Sequence, residues 1–76
     1  MNTENTARVA ALVASVLNLL NDAVGPEATM ESIGPWDSLA QLNICLAFQE
    51  KFGVDLDMET IATATSVAKL AELLPN

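Results

Sequence analysis

The stretch Gly34-Pro35-Trp36-Asp37-Ser38-Leu39-Ala40-Gln41-Leu42-Asn43-Ile44 runs from a turn into a helix. Gly34-Pro35 is a turn dipeptide. Asp37 or Ser38 can accept from the first N–H groups of a helix, which have no partner within it. From there Leu39, Leu42, Cys45, Leu46, Phe48 and Phe52 form a wide apolar stripe, with Ile44 at its margin. Asn43, Ala47, Glu50 and Lys51 take the opposite face. A stripe that wide predicts packing against more than one neighbour. Gly53 is a good stop, since glycine tolerates the left-handed conformation that ends many helices.

Upstream lies a long connection, Asn21 to Trp36, with Gly25-Pro26 and Gly34-Pro35 near its ends. It exceeds the roughly 12–15 residues at which structureless loops become uncommon in compact domains. Met30, Ile33 and Trp36 are its expected anchors. Before it, Val9, Leu12, Val13, Val16, Leu17 and Leu20 recur at helical spacing and predict an amphipathic helix from about Asn5 to Leu20. Asn2, Thr3 and Asn5 offer N-cap oxygens. The apolar run after Arg8 is broken by Ser15 and Asn18 and follows Glu4, which favours this helix over a secretory signal.

Downstream, Val54-Asp55-Leu56 is a short connection with two apolar anchors. Asp57 is expected to cap a brief helix from Met58 to Ala62. Thr65 or Ser66 is expected to cap a last helix containing Val67, Leu70, Leu73 and Leu74, ended by Pro75. The fold class is therefore all-α: a four-helix bundle of three main helices and one short one, with a long loop between helices 1 and 2. The 76 residues are read as one domain, 1–76. A domain this small buries only about 60% of its unfolded surface. Its expected radius of gyration is about 11 Å.

Composition removes whole classes of function. There is no histidine, so no histidine base or ligand is possible. A single cysteine allows neither an intrachain disulfide nor a Cys-rich zinc site. Three basic residues, Arg8, Lys51 and Lys69, stand against ten acids, a net charge of −7. Nucleic acid and anionic membrane surfaces would be repelled. No stretch approaches the ~18 apolar residues of a membrane span. The expected location is the cytoplasm, which suits a free Cys45.

Catalytic and metal-binding readings are weak. Asp55, Asp57 and Glu59 alternate, but an EF-hand starting at Asp55 would need Gly and Glu where Thr60 and Ser66 stand. They read better as acids near a helix N-terminus. Cys45 lies mid-helix with no cation nearby, which marks a buried thiol rather than a nucleophile. No nucleophile–base pairing is evident, so no enzyme activity and no metal are expected. Ser38 has two readings. It can be a plain N-cap, in which case Ser38→Ala would cost about 0.5–2 kcal/mol, or less if Asp37 is the cap. It can also be a modification site, because a phosphate-linked group there would sit at the positive end of a helix.

Context favours the second reading. The quoted stretch closely resembles the phosphopantetheine attachment motif of acyl and peptidyl carrier proteins, whose core is Asp-Ser-Leu at the start of the second helix. Trp36 before it, Leu42, Phe48, Phe52 and Gly53-Val54 after it, and Ala64-Thr65-Ser66-Val67 with Leu70 and Leu73-Leu74 extend the resemblance over nearly the whole chain. It implies that Ser38 bears a 4′-phosphopantetheine arm, installed from coenzyme A by a phosphopantetheinyl transferase. Substrate would ride on the arm as a thioester. Implied partners are that transferase and the loading and processing enzymes of a biosynthetic pathway. The chain itself would be a monomer.

The resemblance also makes Asp37 and the start of the second helix the recognition face. Trp36, Asp37, Leu39, Leu42 and Ile33 are the expected partner contacts. After Asp37 that helix carries Glu50 as its one acid, unlike carriers of fatty-acid synthesis. The sequence thus resembles dedicated carriers of polyketide, nonribosomal-peptide or sugar-modifying pathways. Replacing Gln41 and Asn43 by Glu is expected to improve engagement by enzymes of more acidic carriers. Ile44, Cys45, Leu46 and Ile61 are expected to line a cargo pocket. The alternatives are an aminoacyl or peptidyl carrier, or an unmodified helical interaction module of the same fold.

Overall fold

A computed structural model describes residues 3–75. Four helices follow in order: α1 (Thr3–Val16), α2 (Ser38–Phe52), α3 (Met58–Thr63) and α4 (Val67–Glu72). The all-α, four-helix reading holds. However, α4 spans only six residues, the same as α3, so two helices are long and two short. The radius of gyration is 10.9 Å, as the chain length predicts.

The first helix ends earlier than its apolar spacing suggests. Asn18 adopts φ 60°, a left-handed conformation that Asn tolerates better than most residues. Around it Leu19 N donates to Ala14 O (2.8 Å) and Asn18 N to Ser15 O (3.2 Å). These are the two bonds of a Schellman ending, and they satisfy carbonyls that a helix end leaves open. Leu20 therefore falls outside the helix and is exposed. Thr3 and Asn5, expected as caps, lie inside α1, and Asn2 lies outside the described residues. Asn5 is buried and its Nδ2 donates to Pro75 O (3.2 Å), joining the start of α1 to the tail after α4.

The core is built from Val9 and Val13 of α1, Ile44, Cys45 and Phe48 of α2, and Val67 and Leu70 of α4, all fully buried. Its α1 members are the predicted stripe. On α2 the stripe is rotated from the one expected. The buried positions are Gln41, Ile44, Cys45 and Phe48, whereas Leu39, Leu42 and Leu46 are exposed.

The long loop is tied down more firmly than its three expected anchors suggest. Met30 and Ile33 are half-buried and Trp36 is buried, but Val24 and Ala28 are buried too. The loop also pairs with the entry to α4. Met30 N donates to Thr65 O (2.9 Å) and Val67 N to Ala28 O (3.0 Å), an isolated antiparallel bridge between Thr29 and Ser66. Backbone pairing of this kind lets a long connection keep one course.

Caps close the remaining ends. Gly53 takes φ 66° after α2. Ser66 Oγ accepts from Lys69 N at the head of α4 (3.1 Å). Asp57 Oδ1 accepts from Thr60 N at the head of α3 (2.8 Å). The side-chain hydrogen bond with Thr60, then the backbone one, hold the Asp57 carboxyl below its ordinary value of 3.8. A depressed carboxyl contributes stability that is present above the unfolded pKa and lost as pH falls through the folded one. Urea unfolding below pH 3.8 should therefore show a steeper acid loss for the wild type than for Asp57→Asn, which caps without titrating. Parallel acid limbs would assign the loss to other carboxylates.

Candidate functional site

Asp37, not Ser38, is the N-cap of α2. Its backbone is extended (φ −109°, ψ −171°) and its Oδ1 accepts from Ala40 N (2.8 Å). Gln41 N donates to Asp37 O (2.8 Å), which closes the first turn. Ser38 is thereby the first helical residue, and its side chain is exposed. Among the described residues no hydrogen bond engages the Ser38 hydroxyl. A Cβ added at Gly34, in the preceding turn, would meet nothing within 4 Å.

The residues before Ser38 are held rigidly. Asp37 N donates to Pro35 O (3.1 Å) and Trp36 N to Ile33 O (3.0 Å). Trp36 is only 2% exposed. It has two expected roles, core anchor and partner contact; its burial favours the first, because the indole packs into the core and leaves almost no surface for a partner. The other expected contacts lie around Ser38. Asp37 is exposed, Ile33 is half-buried, Leu39 is 68% exposed and Leu42 41%. Leu46 on α2 and Met58 on α3 are exposed large apolar residues too.

Gln41 is the residue that sequence reasoning misplaced. It is 4% exposed, and its amide is fully used. Oε1 accepts from Trp36 Nε1 (2.8 Å), while Nε2 donates to Ile61 O (2.8 Å) and Ala64 O (2.9 Å). A glutamate there would replace two donors with a buried charge facing two carbonyls. The expected gain from Gln41→Glu is withdrawn for that reason. Asn43 is exposed, so a glutamate there would meet solvent. The signal for Gln41 was its spacing: Gln41, Ile44, Cys45, Phe48 and Phe52 share one helical face.

The residues expected to line a cargo pocket differ in exposure. Ile44 and Cys45 are sealed in the core and Leu46 lies on the surface. Burial pushes the Cys45 thiol up from its ordinary value, which keeps it neutral and unreactive. A cleft of about 370 Å³ lies elsewhere, between Ala7, Ala10 and Ala11 of α1 and Val24 and Pro26 of the loop. Among the described residues no three His, Cys, Asp or Glu side chains could share a metal ion. No described helix is long and apolar enough to cross a membrane.

The site is thus a free serine hydroxyl at the head of a 15-residue helix, where unpaired N–H groups and the macrodipole favour an attached anion. A covalent phosphodiester fits it: the hydroxyl is unengaged and the residue is exposed. The chain matches the family model described as "Phosphopantetheine attachment site" over residues 7–74. No curated protein and no solved structure matches it.

Proposed function

Because the chain belongs to the phosphopantetheine-attachment family, whose members carry covalently bound 4′-phosphopantetheine, we propose that Ser38 is the attachment residue and that the whole chain acts as one non-catalytic carrier domain. The observation that carries this is the free Ser38 hydroxyl, first in its helix, behind a turn fixed by the Asp37 cap and the Trp36 anchor. When bound, the arm supplies a terminal thiol on which an acyl group rides as a thioester. The chain's own residues do the rest. Asp37 spends its carboxylate on Ala40 N and leaves Ser38 Oγ for the transferase. The N-terminal N–H groups of α2 stabilise the phosphodiester charge. Tethering raises the effective concentration of cargo at each partner active site.

The partners are a phosphopantetheinyl transferase and the enzymes that load and process the cargo. The near absence of acids on α2 after Asp37 supports a dedicated biosynthetic pathway of polyketide, nonribosomal-peptide or sugar-modifying type over fatty-acid synthesis, with an acyl cargo. Exposed Leu39 and Leu42, with Ile33 at the rim, provide the apolar part of the docking face. The net charge of −7 steers encounter and disfavours nucleic acid. The proposed working form is a cytoplasmic monomer.

Incubation with coenzyme A and a broad-specificity transferase should add one phosphopantetheine, read by intact mass. Leu39→Ala and Leu42→Ala should slow that addition several-fold while leaving stability nearly unchanged, since both side chains are exposed. Raising the salt should slow encounter by screening the steering field. A wild type that stays unmodified under several transferases would leave the unmodified interaction module as the better reading. An aminoacyl cargo on the loaded arm would identify a peptidyl carrier.

A further inference from the structure

The third helix has little of its own to hold it. None of its side chains is buried, and its partly buried apolar member is Ile61. Its lead-in is tied by Leu56 N donating to Gln49 Oε1 (3.0 Å). Its far end is tied by Gln41. The carbonyls in the last turn of a helix have no partner within it. Here two carbonyls at that end, Ile61 O and Ala64 O, both accept from the single Nε2 of Gln41. The other atom of the same amide, Oε1, holds the Trp36 indole two residues before Ser38. One planar group therefore joins the turn in front of the attachment serine, the helix that carries it and the end of α3.

We propose that Gln41 is a positioning residue that makes the docking of α3 and the presentation of Ser38 one coupled event. The presentation half of this rests on the carrier reading of Ser38. The coupling half does not. The amide plane is rigid, so Nε2 cannot leave the α3 carbonyls without swinging Oε1 away from Trp36. The Trp36 and Ala64 bonds are buried, where an unmade hydrogen bond is costly, so losing the α3 partners frees the amide to turn and weakens its hold on the indole. Release of α3 thus loosens the indole and the turn that aims the Ser38 hydroxyl. Conversely, a partner that grips that turn tightens α3.

Gln41→Glu separates the two ends chemically. Its ionised carboxylate keeps an acceptor for Trp36 Nε1 but has no donor for Ile61 O and Ala64 O. Once protonated, the new carboxyl regains one donor, and burial raises its pKa. The other titratable groups around it will not mask the transition. Asp37 before α2, Asp57 and Glu59 at α3 and Lys69 on α4 are exposed. The nearest is the Cys45 thiol, whose Sγ lies 3.4 Å from Nε2 and stays neutral.

Three readouts test the proposal: hydrogen exchange of the Ile61 and Ala64 amides, the indole N–H resonance of Trp36, and the rate of phosphopantetheine transfer to Ser38. Near neutral pH, Gln41→Glu should speed the α3 exchange about tenfold or more, since two hydrogen bonds to the end of α3 are lost. It should also shift the indole resonance and slow transfer several-fold. Measured against the wild type at each pH, all three changes should partly reverse together as pH is lowered, because the protonated carboxyl regains one donor. Loosened α3 amides with an unmoved indole resonance, or no loosening at all, would overturn the coupling. If the variant does not fold, the wild type suffices. In sub-denaturing urea its Trp36 indole and its Ile61 and Ala64 amides should exchange with equal protection, and a tenfold gap between them would overturn the proposal. A wild type that takes no phosphopantetheine would fail the carrier reading alone, since both exchange readouts are independent of loading.

Discussion

Ser38→Ala should take up no phosphopantetheine and yet fold as the wild type does. Loading is all-or-none, because no other residue can replace the reacting oxygen at that position in the turn. Stability should change by no more than about 0.5 kcal/mol, the range of a surface substitution that breaks no cap. The reason is that Asp37 Oδ1, not Ser38 Oγ, receives Ala40 N. Asp37→Ala should show the opposite pattern, losing about 0.5–2 kcal/mol while keeping its serine. Intact mass after coexpression with a transferase, and urea unfolding of both variants, measure the two effects. Loading of Ser38→Ala would move the attachment residue elsewhere. A full cap-sized loss in Ser38→Ala would mean that the serine also supports the helix start.

The boundaries of α2 were legible to within a residue because Asp37-Ser38 and Gly53 are strong end signals, and the cap falls to Asp37. Asp37 accepts an orphan N–H, and Gly53 occupies a left-handed position at φ 66°. Asp57 was legible for the same reason, while the choice between Thr65 and Ser66 was settled only by the Ser66 hydroxyl accepting from Lys69 N. The buried face of α2 was not. Leu39, Leu42, Ile44, Cys45, Leu46 and Phe48 surround most of the helix, so hydrophobicity alone cannot choose a sector. The sector was decided by Gln41, whose burial is stabilised only once Trp36 and the end of α3 supply its three partners. Those partners are five, 20 and 23 residues away in sequence. The end of α1 was missed for a more local reason: Asn18 stops the helix through its left-handed backbone while apolar spacing continues to Leu20.

Trp36→Ala should be among the most destabilising single substitutions in this chain. Truncating a buried tryptophan typically costs about 3–5 kcal/mol. A domain of 76 residues at roughly 0.05–0.15 kcal/mol per residue has only about 4–11 kcal/mol in total. Truncation also orphans Gln41 Oε1, a further penalty unless water enters the space left by the ring. The loss should therefore take up about a third or more of the total stability over most of these ranges and lower the unfolding midpoint markedly. Trp36→Phe separates the contributions: it keeps most of the ring volume, loses the Nε1 donor, and should cost about 1–3 kcal/mol. Urea unfolding followed by circular dichroism is the suitable measurement, since the substitutions remove the one tryptophan. At temperatures where Trp36→Phe stays folded, its Ser38 should still be loaded, more slowly if the indole bond helps aim the turn. Unchanged stability in Trp36→Ala with loading abolished would mean that the ring meets the transferase directly. The ring would then have to leave the core on binding, and the interior beneath the turn would have to close without it. A side chain that is 2% exposed and hydrogen-bonded at its polar end argues against that course.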